Sequence, residues 1–82
     1  MTFVTTLDVI PGKGDDVRKI VNNTRFPEQV KIKEILSLFG KPDYIVIFDA
    51  PDEEIAMNFV LKFVSVAVPR TSLAVSVDVP AS

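Results

Sequence analysis

The chain contains neither cysteine nor histidine. These absences exclude disulfides, thiolate metal sites and imidazole ligation, so stability must come from packing or from a partner chain. They also remove the usual bases and nucleophiles: catalysis at neutral pH would have to rest on Asp43, Tyr44, Asp49 or a lysine, each needing a large pKa shift. A dominant charge is missing too. Nine basic residues against eleven acidic ones give a net charge of -2, too small and of the wrong sign for a protein that neutralises phosphates, so no nucleic acid partner is expected. No apolar run approaches the length of a membrane span, and residues 1–6 lack the basic start and continuous apolar core of a signal peptide. The expectation is a cytoplasmic protein without membrane association.

What the chain does have is 48% apolar residues in a length of 82. That length predicts a single domain over residues 1–82, small enough that its core must be efficient or shared. Residues 2–10 read as a strand with Phe3, Thr5, Leu7 and Val9 on one face. After Pro11-Gly12-Lys13-Gly14, Asp15 or Asp16 can cap a helix carrying Val17, Ile20 and Val21, ending near Arg25 ahead of Pro27. Residues 30–39 predict a second strand, with Ile32, Glu34, Leu36 and Leu38 on one face and Lys31, Lys33, Ile35, Ser37 and Phe39 on the other. Residues 43–50 predict a third strand that is apolar on both faces, Ile45 and Ile47 against Tyr44, Val46 and Phe48, and so is covered on both sides. A helix over residues 52–66 opens on Asp52-Glu53-Glu54 and is apolar around most of its circumference. Residues 71–79 then alternate as a half-buried fourth strand, with Leu73, Val75, Val77 and Val79 on one face.

The order βαββαβ predicts an α+β, ferredoxin-like fold: a four-stranded antiparallel sheet with both helices on one face. The apolar open face of the third strand and the nearly all-apolar second helix then call for a second chain, because so large an exposed apolar surface is a liability in a monomer. The expected assembly is a homodimer with the sheets facing each other.

Three stretches, Lys31-Ile32-Lys33-Glu34-Ile35, Gly40-Lys41-Pro42-Asp43-Tyr44 and Ala50-Pro51-Asp52-Glu53-Glu54, together resemble the GYD-domain family of small dimeric α/β-barrel proteins. They are also similar to the effector-binding half of the leucine-responsive (feast/famine) regulators. Gly40 and Asp43 match the Gly-x-Tyr-Asp turn of those families; Pro42 stands where their tyrosine falls, and Tyr44 supplies a phenol on the next strand position. The resemblance implies a dimeric α/β barrel, a homo-oligomer of two or more chains, and a small effector bound near the glycine turn at a subunit interface. It implies a ligand site at Gly40, Asp43 and Tyr44.

Read from the residues alone, Gly40 and Asp43 can present backbone N–H groups and a carboxylate to a zwitterion. Equally, Gly40 can supply a positive φ while Asp43 bonds its own turn backbone. Gly12-Lys13-Gly14 lacks the full phosphate-binding loop pattern and reads as a plain connection. Asp49, Asp52, Glu53 and Glu54 lack the spacing of a calcium loop and read as acids at a helix start, so neither metal nor cofactor is expected. Lys31 and Lys33 read as edge lysines that discourage strand pairing, and Phe59 and Phe63 as core or interface anchors. The functional expectation is a non-catalytic, homo-oligomeric module that binds a small metabolite near residues 40–44. The alternatives are a small cofactor-independent barrel enzyme with Tyr44 or Asp43 as acid or base, and a purely structural assembly unit.

Overall fold

Phe3, Thr5 and Leu7 are buried along one side of the first strand, β1 (Thr2–Val9), and the rest of the molecule is built against that side. The computed structural model describes residues 1–23 and 29–80. After β1 come α1 (Gly14–Asn23), β2 (Lys31–Ser37), β3 (Tyr44–Asp49), α2 (Glu53–Val60) continued by a 3₁₀ turn (Leu61–Phe63), and β4 (Ala67–Ala74). The strands form one sheet in the order β2-β3-β1-β4 with every neighbouring pair antiparallel. β1 and β2 therefore run the same way with β3 between them, the split β-α-β arrangement. The chain is thus α+β, with a four-stranded antiparallel sheet and two helices, compatible with a ferredoxin-like fold.

Both helices lie over the face that carries Phe3, Leu7, Val46 and Phe48. Val17 of α1 joins Ala56, Phe59 and Val60 of α2 in one buried cluster with those strand residues. Its centre is aromatic: Phe48 stacks on Phe3 at 5.6 Å and meets Phe59 edge-on at 4.6 Å, and Phe59 meets Phe63 at 5.6 Å. Such geometries add roughly 0.5–1.5 kcal/mol per pair beyond the area they bury. Phe59 and Phe63 are core anchors within one chain. Thr5, the one buried polar residue of the described core, is satisfied by a hydroxyl contact to Thr71 Oγ1 at 2.7 Å.

Four expectations need correction. The second strand changes phase: Ile32 lies opposite Phe48, but the next pair is Glu34 with Ile47, so Lys33 is an extra residue in a bulge. Ile32 and Ile35 consequently share the core face, while Glu34 and Leu36 lie on the open one with Ile47 and Ile45. The strand also stops at Ser37, leaving Phe39 fully exposed beyond it. At α1 the first helical residue is Gly14, and Lys13 C=O accepts from the N–H groups of Asp16 and Val17. Asp15 and Asp16 therefore sit inside the first turn and not at the cap; the expected end near Arg25 lies outside the described residues. α2 closes earlier than residue 66, its last turn tightening to 3₁₀, and Asp52 caps its start by accepting from Ile55 N–H at 2.8 Å.

The largest correction concerns β4, which begins at Ala67 and ends at Ala74. Val66 and Ala67 are buried, and Pro69 sits within the strand opposite Leu7. A proline is tolerated there because β4 is an edge strand, where the missing N–H can face solvent. β1 runs out at Thr2, the partner of Ala74, so among the described residues no strand pairs with residues 75–79. Val75, Val77 and Val79 are 81, 80 and 85% exposed, not half buried.

On the other face of the sheet Ile45 and Ile47 are half-buried, and among the described residues no helix lies on that side. Polar groups surround them: Thr2 Oγ1 donates to Asp49 Oδ1 at 2.6 Å, Lys33 lies 3.8 Å from Asp49, and Arg70 lies 3.7 Å from Asp8. No helix among the described residues is long and apolar enough to cross a membrane.

Candidate functional site

Because β1 and β2 run in the same direction, the connection leaving β1 and the turn leaving β2 emerge at the same end of the sheet. Between them lies an open cavity of about 360 Å³. Val9, Pro11, Gly12 and Gly14 form one side of it, and Ser37, Lys41, Asp43 and Tyr44 the other. α1 begins at this wall, so the positive end of its dipole lies beside the cavity.

The β2–β3 turn is pinned to β1 by Asp43. Its backbone N–H donates to Leu7 C=O at 2.9 Å, its C=O accepts from Leu38 N–H at 2.9 Å, and its Oδ2 accepts from Val9 N–H at 2.7 Å. Lys41 Nζ adds a bond to the same Oδ2 at 3.0 Å. The bond from the Val9 backbone, with that from Lys41 second, holds the Asp43 carboxyl below its ordinary pKa. All the side-chain bonds fall on Oδ2, and Oδ1 carries none among the described residues. The Asp43 carboxylate thus takes its backbone bond from the neighbouring strand and not from its own turn, which supplies only the Lys41 side chain. Gly40 has φ +136°, a conformation that a side chain at that position resists, and the following Lys41–Pro42 bond is cis. Tyr44 begins β3 with its ring partly buried against the core.

Of the three residues singled out by sequence, Asp43 and Tyr44 line the cavity together. Gly40 shapes the turn from outside the wall. The structure adds Lys41, Gly12 and Gly14. The two glycines were visible as a Gly-Lys-Gly connection, and only the sheet order shows that this connection faces the Gly40 turn. Gly12, at φ +86°, needs its left-handed conformation to make that bend.

The acids near β3 and α2 are placed apart by their own bonds. Asp49 is engaged by Thr2 and Lys33, and Asp52 by the α2 backbone. The hydroxyl bond from Thr2, ahead of attraction to Lys33, lowers the Asp49 pKa. Among the described residues no cluster of three or more acids forms that could hold a metal ion.

Comparison of the chain with protein-family models, with curated proteins and with solved structures finds no match.

Proposed function

We propose that this chain is a cytoplasmic, non-catalytic, homo-oligomeric module that binds a small polar metabolite in the cavity between the β1–α1 connection and the β2–β3 turn. The observation that carries the reading is the convergence of Lys41, the start of α1 and the Asp43 carboxylate around one open cavity. The ammonium group and the helix start favour an anionic group on the ligand; Oδ1 of Asp43 favours a donor such as an amine. A small zwitterion or amino acid answers both. Polar orienting groups with an apolar wall, here Val9, Leu38 and the Tyr44 ring, are the usual makeup of a metabolite site. The resemblance to the GYD-domain and leucine-responsive families points the same way, and the half-buried Ile45 and Ile47 suit a second sheet packed face to face as in a dimeric α/β barrel.

The enzyme alternative has less support. An Asp43 carboxyl held ionised by Val9 N–H and Lys41 is a poor proton donor at neutral pH and a weakened base. The test is a melting screen over amino acids and small carboxylic acids, where a ligand at a hundred times its Kd raises stability by about 2.7 kcal/mol. Lys41 is mostly exposed, with 71% of its side-chain surface accessible, so Lys41→Gln leaves the fold intact. It should abolish the shift. If no compound moves the transition, the metabolite reading fails.

A further inference from the structure

Among the described residues no strand pairs with residues 75–79, where Val75 and Ser76 line a shallow pocket with Thr2, Val4, Lys33 and Ile47 at the end of the open face, and the outer edge of β4 has no neighbouring strand. Ile10 N–H donates to Val66 C=O, and Ile10 and Val66 stand in line with the register that pairs Asp8 with Val68 and Thr6 with Arg70. In an antiparallel ladder, directions alternate along the strand. Even-numbered residues of β4 therefore bond to β1, while the N–H and C=O groups of Thr71 and Leu73 face the free edge. Pro69 also falls at an outward position, where its missing N–H costs no bond to β1.

Beside that edge runs a mainly apolar groove of about 260 Å³ between β4 and α2, lined by Phe3, Ala56, Met57, Val60, Thr71 and Leu73 with Glu53 as its one charged residue. Met57 and Leu73 on its rim are 63 and 53% exposed. A strand added antiparallel to β4 with odd residues opposite odd ones would carry its odd side chains on this face, against the groove.

We infer that residues 75–79 of a second copy of this chain are that added strand, two copies exchanging them across a two-fold axis at Ala74. Centring the pairing on Ala74 satisfies residues 75–78, and the ladder ends at Val79, which falls opposite Pro69 and finds no N–H there. Val75 falls opposite Leu73 of the second copy and Val77 opposite Thr71, both hydrogen-bonded pairs whose valines lie along the groove. Ser76 falls opposite Ser72. Asp78 falls opposite Arg70 on the open face, in a non-hydrogen-bonded pair where side chains stand closest. Arg70 is free to receive it: its side chain is 76% exposed and its contact with Asp8 is loose at 3.7 Å. The symmetric match of Asp78 with Arg70, formed twice per pair, selects the second copy over an unrelated peptide. This contact uses the sheet edge, needs no metabolite, and is separate from face-to-face packing at Ile45 and Ile47.

The absence of cysteine from the full chain makes the register directly testable by cross-linking. Opposed Ala74 residues would have Cα atoms about 4.5 Å apart, within the range of about 4.4–6.8 Å that a disulfide spans. Under mild oxidation Ala74→Cys should give a covalent dimer. A mixture of Ser72→Cys and Ser76→Cys chains should cross-link while Ser72→Cys alone does not. Val77→Asp, at a position exposed in the single chain, should raise the dimer dissociation constant about a hundredfold by burying an unpaired charge. The melting of the separated chain should stay unchanged. A monomer by light scattering at micromolar concentration overturns the inference. So does a dimer that survives Val77→Asp and is lost with Ile47→Asp, because that result puts the contact on the open face. Equal cross-linking of Ser72→Cys alone and of the mixture overturns the register. Failure of the ligand screen leaves all these outcomes readable.

Discussion

β3, apolar on both faces, and the stretch from Thr71 to Val79, which alternates apolar with small or polar residues, both read as strands, and they meet opposite fates. β3 has β1 on one side and β2 on the other, and Phe48 and Val46 are sealed under the helices. It is also fastened at both ends by carboxylates: Asp43 holds Val9 N–H, and Asp49 accepts from Thr2. β4 has one neighbouring strand, and among the described residues the valines after Ala74 have no paired strand. Alternation reports what a segment is able to pair with, while burial depends on whether a neighbour extends that far. β1 supplies that neighbour only as far as Thr2.

The contrast can be broken most severely at Phe48. Phe48→Ala removes the ring at the centre of the aromatic chain, and a loss of about 3–5 kcal/mol is expected in urea unfolding, enough to unfold a domain of this size under mild conditions. Replacing Asp52 acts one step away, on the helix that covers β3. Asp52→Ala should cost about 1 kcal/mol in the same measurement, the usual value of an N-cap.

Acid should loosen β3 before β4. Asp43 and Asp49 both have folded-state pKa values lowered from 3.8. Their contribution is therefore complete above that value and is lost as pH falls through the lower, folded one. Amide exchange should rise in β3 and the adjoining part of β1 as pH drops below 3.8, and Asp43→Asn should flatten the acid limb of the stability curve. An acid limb unchanged in Asp43→Asn would remove the fastening role given to that carboxylate. The smallest effect is expected after β4: in dilute solution Val77→Ala should change chain stability by less than about 0.5 kcal/mol, despite standing in a regular strand pattern.

The element order and the buried face of β1 were legible because Phe3, Thr5 and Leu7 alternate without interruption. β2 was legible as a strand but not in phase, since one bulged residue at Lys33 turns every later side chain over and no alternation count locates such an insertion. β4 was shifted because Pro69 reads as a breaker until its place on a free edge is known. In the cavity, Asp43 and Tyr44 were legible through the turn they occupy. Lys41 and the two glycines of the β1–α1 connection were not, because their importance comes from two connections meeting at one end of a sheet, a long-range fact no local motif encodes.

The bulge at Lys33 has a consequence for how far assembly can go. A sheet with two receptive edges can add copies without limit and grow into a fibre. In this chain the β2 edge carries Lys31 and Lys33 with the irregularity between Ile32 and Glu34, and an incoming strand there would meet positive charge and a broken spacing of donors and acceptors. Edge growth is left with the β4 side, and the two-fold pairing proposed there would use it up. If the proposed pairing along β4 forms, the extra lysine that spoils the regularity of β2 would act as a chain terminator, limiting growth along that direction to two copies.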